Sequence, residues 1–129
     1  MEPRGIEIRE AHYPGRAPID AFGNGGFRFA DMSHRGSLMC LPSGIYGWQP
    51  ADPANITADD LAKLFEEAGD VQILLAGLGP DFARLPNALV QNLREVGIVT
   101  EPMSTPSAVR TYNVLVAEDR AVAAILLAV

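Results

Sequence analysis

The chain has 129 residues, of which 48% are hydrophobic and 20% are charged, and its formal net charge at pH 7 is −6. This composition is typical of a single globular domain with its own core, and the negative charge argues against a nucleic-acid backbone as partner. The single cysteine, Cys40, excludes a disulfide within the chain and indicates a reducing, cytoplasmic location. Lys63 is the only lysine beside nine arginines, which we take as a sign of a GC-rich bacterial genome.

Residues 1–18 predict an irregular N-terminal arm with at most a short extended piece at residues 6–8. The arm mixes charged residues with prolines and glycines, and it lacks the apolar core of a signal peptide. The longest apolar run of the chain, residues 121–129, has nine residues, whereas a helix needs about 20 to cross a bilayer. We therefore expect neither a signal peptide nor membrane insertion.

Residues 19–48 predict a small antiparallel β unit. Apolar residues alternate with polar ones on both sides of the cluster Gly23 to Gly26, which is typical of a hairpin. A second turn is predicted at residues 32–36, followed by strands at 37–41 and 45–48. Each segment is short and bounded by turn residues, as expected for antiparallel strands.

Chemistry-bearing residues are sparse in this first part of the chain. His34 and Arg35 could attract an anion, or they could simply form an exposed turn. Cys40 lies among apolar neighbours, so we expect a buried and unreactive thiol. Neither the histidines and the cysteine nor the serines have the spacing of metal ligands or of a serine nucleophile. The sequence therefore predicts no catalytic residue, no metal site and no cofactor.

From residue 56 onward, helical and strand patterns alternate in the order α-β-α-β-α-β, which indicates an α/β layer with crossover helices. The first helix begins at Thr57, where Asp60 completes a capping box. The last begins with Thr105 as cap and Pro106 at its first position. The intervening and following elements are a strand at 71–76, a helix that Gly97 ends, a strand at 98–100 and a buried strand within 121–129.

One candidate ligand site follows from this order. Loops at the carboxyl ends of neighbouring parallel strands form a crevice, and the loops at 77–80 and 102–105 meet this condition. Glycine loops and helix N-termini offer backbone N–H groups to anions. The predicted donors and the supplementary charge are Gly77, Gly79, Ser104, Thr105 and Arg110. The alternative is a tight turn followed by a helix cap, because the loop has neither a dinucleotide-binding nor a Walker pattern.

Three stretches of the chain form recognisable motifs: Ile45-Tyr46-Gly47-Trp48, Gly77 to Pro80, and the run Met103, Thr105, Ala108, Arg110-Thr111-Tyr112-Asn113, Leu115, Glu118 and Arg120 to Ala124. On these motifs, residues 19–129 resemble a family of small single-domain proteins of largely unknown function. Its eukaryotic members include the mitochondrial complex I assembly factor 3 and an adipogenesis-associated cytosolic protein. Leu78 departs from the Gly-Thr-Gly loop common in the family, which removes a hydroxyl.

The resemblance implies an α/β fold of three layers, with a mixed central sheet, helices on one side and a small antiparallel β unit on the other. It supplies no established reaction, cofactor or catalytic residue. We expect one domain, made of an irregular arm (1–18), a β-rich unit (19–48) and an α/β unit (56–129). Oligomeric state does not follow from the sequence.

Two functions are compatible with these patterns. The leading hypothesis is a non-enzymatic interaction or assembly-type factor with a protein partner, linked to membrane-complex biogenesis. The alternative is an enzyme or a binder of small molecules or anions that uses the crevice. An enclosed Arg110 would favour the alternative, whereas an Arg110 paired with Glu118 or Asp119 would disfavour it. An exposed apolar patch around Tyr46 and Trp48 would favour a partner surface.

Overall fold

A computed structural model describes residues 11–129, with side chains from Tyr13 onward. The strands of this part of the chain are β1 (Ala11–Pro14), β2 (Ala21–Gly23), β3 (Gly26–Phe29), β4 (Met32–Arg35), β5 (Ser37–Leu41), β6 (Gly44–Trp48), β7 (Ile73–Gly77), β8 (Val99–Met103) and β9 (Val122–Leu126). Its α-helices are α1 (Ala62–Glu66), α2 (Asn87–Glu95) and α3 (Thr105–Ala117). Short 3-10 turns at Pro53–Asn55, Asp59–Leu61 and Ala68–Asp70 precede or follow α1.

The central sheet is mixed and has the strand order β1-β6-β5-β9-β7-β8. Strand β7 is parallel to both β8 and β9, while the pairs β1–β6, β5–β6 and β5–β9 are antiparallel. All five residues of Val122–Leu126 are buried, as are all five of Ser37–Leu41. A continuous apolar run suits a strand covered on both faces, and this prediction for the last strand is confirmed.

The helices lie on both faces of the central sheet. Leu89 and Leu93 of α2 pack in one core cluster with Leu74, whereas Ala108 and Tyr112 of α3 pack in a second cluster on the opposite face. The crossover from β7 to β8 and the return from β8 to β9 run in opposite directions across the sheet. Crossovers between parallel strands are right-handed almost without exception, and two such crossovers in opposite directions place their helices on opposite faces, as observed here.

The predicted α/β class, with a mixed central sheet and a separate antiparallel unit, is confirmed. The expectation of helices on one side of the sheet holds for α1 and α2. Helix α3 lies on the other side, so the expectation is corrected for this helix. Helix α3 shares the second face with the three-stranded sheet β2-β3-β4, whose Phe27 and Phe29 enter the same core cluster. The three layers are therefore helices, central sheet, and a mixed layer of α3 and the small sheet.

The small sheet is built from two tight hairpins. The first turns at Asn24 and Gly25, whose φ values of 53° and 80° are those of a type I′ turn, so the predicted hairpin is confirmed. The second turns at Ala30 and Asp31, with φ values of 48° and 62°. The turn predicted at residues 32–36 is wrong, because most of that segment is strand β4.

The remaining strands of the predicted β-rich unit belong to the central sheet. Strands β5 and β6 pair with each other, and β5 also pairs with β9. Strand β1 (Ala11–Pro14) pairs with β6, so this stretch of the arm that was expected to be irregular is a strand. The short extended piece expected at residues 6–8 lies outside the described residues.

The segment around α1 begins as predicted and then departs from a regular helix. The Thr57 N–H donates to Asp60 Oδ2 at 2.8 Å, and the Asp60 N–H donates to Thr57 Oγ1 at 3.4 Å, so the capping box is formed. The helix itself is short and is flanked by 3-10 turns. Within residues 11–129, no helix combines the length and the apolar character that a bilayer crossing requires.

Candidate functional site

The two loops of the predicted crevice meet at the carboxyl ends of β7 and β8. The parallel register places Gly77 opposite Met103. Beyond this pair, the Leu78 N–H donates to the Met103 carbonyl oxygen at 2.9 Å, and the Thr105 N–H donates to the Gly79 carbonyl oxygen at 2.7 Å. The topology thus brings together Gly77, Gly79 and Thr105, with Ser104 adjacent in the chain.

The donors predicted to hold a ligand are engaged within the protein. The Gly79 N–H donates to Thr105 Oγ1 at 3.1 Å, and the Thr105 hydroxyl donates to the Leu127 carbonyl oxygen at 2.8 Å. Thr105 has no exposed surface, and both Gly77 and Gly79 are buried. A ligand at this position would have to displace several of these hydrogen bonds.

Gly77 has a packing role that only a residue without a side chain can fill. A Cβ atom at this position would lie 2.9 Å from Ala108 Cβ and 3.0 Å from Thr105 Cα. These distances are shorter than ordinary carbon–carbon contacts, so a larger residue would push α3 away from β7. Gly77 therefore sets the close approach of the last helix to the central sheet.

The cap of α3 is Ser104, one residue earlier than predicted. The Ser107 N–H donates to Ser104 Oγ at 3.3 Å, and the Ser104 hydroxyl donates to Ser107 Oγ at 3.1 Å. Thr105 occupies the first helical position instead of the cap, because its hydroxyl is drawn inward to Leu127. The prediction of Thr105 as cap is wrong by one position.

Arg110 lies on the outward side of α3 and is exposed. Within the part of the chain that the structure describes, it forms no ion pair. The two carboxylates considered as its partners bind other arginines: Asp119 contacts Arg16 at 2.9 Å, and Glu118 contacts Arg120 at 4.0 Å. Arg110 is therefore not enclosed, and it has no ion-pair partner from residue 13 onward. The ligand role of the five predicted residues stays a prediction.

A groove with a volume of about 450 Å³ lies on the small three-stranded sheet. Two exposed arginines, Arg28 and Arg35, stand among its lining residues, and none of the described lining residues is an aspartate or a glutamate. Only His34 and Arg35 were suggested by the sequence, as a possible anion site. The signal for Arg28 was present in the alternation Phe27-Arg28-Phe29, which points the arginine away from the core. The other lining residues are Ala21, Phe22, Gly23, Asn24, Gly26, Phe27, Ser33 and His34.

His34, which lines the groove, differs from the two arginines in its protonation. Burial lowers the pKa of His34, and its hydrogen bond between Nε2 and the Ser37 carbonyl oxygen (3.0 Å) opposes that shift. The imidazole is then mostly neutral at pH 7, so the positive charge of the groove comes from the arginines. Among the side chains from Tyr13 onward, no group of three or more from histidine, cysteine, aspartate and glutamate is placed to hold a metal ion.

Cys40 is the buried thiol that its neighbours predicted. Burial raises its pKa to about 12, while the adjacent Tyr112 hydroxyl has a smaller, lowering effect. The contact between the two groups does not have hydrogen-bond geometry, and the Tyr112 oxygen is buried without a partner among the described residues. A thiol with so high a pKa is protonated and unreactive near neutral pH.

Tyr46 and Trp48 do not form the exposed apolar patch considered as a partner surface. Both are half-buried and pack against the core on the α1 and α2 side of the sheet. The Trp48 Nε1–H donates to the Asp60 carbonyl oxygen at 2.8 Å, and the Tyr46 hydroxyl is 2.6 Å from Ser43 Oγ. The Lys63 ammonium lies 4.8 Å from the centre of the Tyr46 ring. These aromatic residues are thus engaged within the fold.

Comparison with known proteins identifies the family. The model of the family described as protein of unknown function (DUF498/DUF598) matches residues 19–127, and the chain belongs to this family. An uncharacterized protein of Rhodobacter capsulatus is 44% identical over 119 residues, which cover 92% of this chain and 90% of that protein. The resemblance seen in the sequence motifs is therefore confirmed.

Two further relatives carry more informative names. The NADH dehydrogenase (ubiquinone) 1 alpha subcomplex assembly factor 3 of Mus musculus is 26% identical over 122 residues, which cover 95% of this chain. The match spans only 66% of the mouse protein's length. A crystal structure from Bartonella henselae, named as an outer membrane protein, is 57% identical with a TM-score of 0.87, covering 91% of this chain and 98% of that one. The cytoplasmic location of our chain stays a prediction.

Proposed function

We propose that this chain, as a member of the DUF498/DUF598 family, is a non-enzymatic assembly factor that binds a protein partner during the biogenesis of a respiratory membrane complex. The observation that supports it most is the match to the mouse assembly factor along 95% of the chain. The similarity thus extends along almost the whole chain and is not limited to one motif.

The geometry of the crevice supports the same proposal. Catalysis or ligand binding at the carboxyl ends of parallel strands relies on free donors. Here the Gly79 N–H and the Thr105 hydroxyl are already bonded to Thr105 and Leu127. The presence of Gly79 and Thr105 in the family motifs is explained by their role in attaching α3 to the sheet. This role requires no substrate.

The proposal is tested by deleting the gene in the source organism. Membrane complexes are separated on a native gel, and the amount of assembled respiratory NADH dehydrogenase is measured by in-gel activity and by immunodetection of its subunits. We expect less assembled complex and an accumulation of partial assemblies, both restored by a plasmid copy. Succinate dehydrogenase in the same membranes is the control and should be unchanged. Normal assembly in the deletion strain would reject the proposal.

A further inference from the structure

The outer face of the small sheet has a defined composition. Phe27 and Phe29 of β3 point into the core, so the residues that alternate with them face outward. The register extends this face to β2 and β4, since Arg28 lies opposite Ala21 and Ser33. The outward residues are Ala21, Gly23, Gly26, Arg28, Ser33 and Arg35.

These residues make a shallow floor between two long cationic side chains. Four of the six outward residues are glycine, alanine or serine, so a ligand backbone can approach the sheet closely. Gly26 must stay without a side chain, because a Cβ atom there would press on the His34 carbonyl oxygen. Arg28 on β3 lies opposite Ser33 on β4, and Arg35 is two residues beyond Ser33 on β4. Such diagonal positions are about 7–8 Å apart.

The charge of the groove is positive, whereas the net charge of the protein is negative. The protein carries a net charge of −6, yet among the residues that the structure describes no carboxylate lines this groove. Arg28 and Arg35 are both exposed, and among the described residues neither forms an ion pair. Two exposed guanidinium groups at one surface favour carboxylate or phosphate groups, which accept paired hydrogen bonds from them.

We propose that this groove binds an extended acidic segment of a partner protein. In an extended chain, alternate side chains on one side are about 6.4–6.8 Å apart, close to the spacing of the two arginines. The carboxylate of one residue in the segment would contact Arg28, and the carboxylate of the residue two positions further along would contact Arg35. The inference rests on the proposed function only in that the ligand is part of a protein.

The binding test uses the purified chain and a synthetic peptide. A fluorescein-labelled peptide of alternating glutamate and serine is titrated and followed by fluorescence anisotropy, beside a peptide with glutamine in place of glutamate. We expect binding of the acidic peptide only, weakened by raising the salt from about 0.05 M to about 0.15 M. Amide NMR shifts of the labelled protein should change within residues 21–35. Equal binding of both peptides, or shifts confined to other regions, would overturn the proposal.

Variants separate a specific groove from general attraction. Arg28→Gln and Arg35→Gln should each raise the Kd at least about tenfold, whereas the exposed Arg94→Gln on α2 should change it by less than about twofold. Ala21→Leu keeps both arginines but fills the floor opposite Arg28, and it should weaken binding as strongly. Amide spectra outside residues 19–36 confirm that each variant is folded. If Arg94→Gln raises the Kd as much as Arg28→Gln and Arg35→Gln do, or if Ala21→Leu leaves the Kd unchanged, the groove is not the binding site.

Inorganic phosphate distinguishes a peptide site from a site for small anions. If phosphate binds the groove as tightly as the acidic peptide does, the ligand is a small anion and the proposal is rejected. The outcome is also separable from the proposed function. Peptide binding by the purified chain stands whether or not the deletion strain assembles its complex, and an assembly defect with no peptide binding places the partner on another surface.

Discussion

Thr105 and Gly79 hold each other by two hydrogen bonds, one in each direction. The Thr105 N–H donates to the Gly79 carbonyl oxygen at 2.7 Å, and the Gly79 N–H donates to Thr105 Oγ1 at 3.1 Å. The same hydroxyl donates onward to the Leu127 carbonyl oxygen at 2.8 Å. One buried side chain therefore joins the loop after β7, the start of α3 and the chain just beyond β9.

Replacing Thr105 with valine tests this junction. The Gly79 N–H and the Leu127 carbonyl would lose their buried partner, and each such group costs about 1–3 kcal/mol. We expect the free energy of unfolding, measured in urea, to fall by about 2–4 kcal/mol in total. Thr105→Ser keeps the hydroxyl and should retain most of this stability. A small loss in Thr105→Val beside a larger loss in Thr105→Ser would show that the methyl group, and not the hydroxyl, matters.

Replacing Arg110 with alanine tests the predicted crevice. Because Arg110 is exposed and unpaired among the described residues, the free energy of unfolding should change by less than about 0.5 kcal/mol. A thermal-shift screen against anions, nucleotides and common metabolites is then run on both proteins. The engaged donors lead us to expect no compound whose stabilising effect depends on Arg110. A compound that stabilises the unmodified chain but not Arg110→Ala would restore the alternative function.

Gly77→Ala should destabilise the fold by pushing α3 from the sheet. The new methyl group would approach Ala108 Cβ to 2.9 Å, and overpacking of this kind costs about 1–3 kcal/mol. The double variant Gly77→Ala with Ala108→Gly removes one of the close contacts. In urea unfolding, its loss should therefore be smaller than the sum of the two single losses. Additive losses would mean that the helix is not pressed against residue 77.

Much of the fold was predictable because its signals are local. The capping box of Thr57 and Asp60 uses residues three apart, and the buried run at the chain's last strand is visible by inspection. The second hairpin was missed for the opposite reason. Its turn residues, Ala30 and Asp31, have positive φ values without the glycine that usually marks such a turn.

The parts that sequence patterns missed depend on distant pairings. Strand β9 lies between β5 and β7, and only this order sends α3 across to the second face. From the sequence, Thr105 was predicted to cap the helix with its hydroxyl. The structure shows that this hydroxyl instead donates to the carbonyl oxygen of Leu127, which is 22 residues further along the chain. Local patterns therefore located the crevice but did not reveal that its donors are engaged. The groove likewise requires β4, whose existence the sequence did not indicate.

Asn113 joins α3 to the chain that leads into β2, and its replacement by aspartate should weaken this joint. The Ile19 N–H donates to Asn113 Oδ1 at 2.8 Å, and Asn113 Nδ2–H donates to the Ile19 carbonyl oxygen at 2.9 Å. Asn113→Asp keeps the acceptor but places a carboxylate oxygen against that carbonyl. We expect a loss of about 1–3 kcal/mol in urea unfolding at pH 7.

The pH dependence of the aspartate variant provides its control. A protonated carboxyl can again donate to the Ile19 carbonyl, so the gap to the unmodified protein should narrow as the pH approaches about 4. Asn113→Ala removes both hydrogen bonds and has no group to protonate, so its deficit should be independent of pH in this range. A constant deficit in Asn113→Asp would show that the donor is not what stabilises the joint.

The buried thiol of Cys40 should make the fold sensitive to alkali. Its pKa is about 12 in the folded protein against an ordinary value of 9.0, so above pH 9 the unfolded chain releases a proton that the folded chain retains. The unfolded state is thereby favoured, and stability falls with rising pH by up to about 1.4 kcal/mol per pH unit. Below pH 9 the thiol is protonated in both states, so this loss of stability is absent.

Urea unfolding between pH 9 and pH 10 isolates the thiol. Tyr112, whose pKa burial also raises, has an ordinary value of 10.0 and adds its own loss mainly above that pH. Cys40→Ala removes the thiol, and its free energy of unfolding should stay nearly constant across this window while that of the unmodified protein declines. Because the cavity left by the sulfur is present at every pH, it shifts the curve without changing its slope. Parallel curves for the two proteins would show that the folded thiol ionises as readily as the unfolded one.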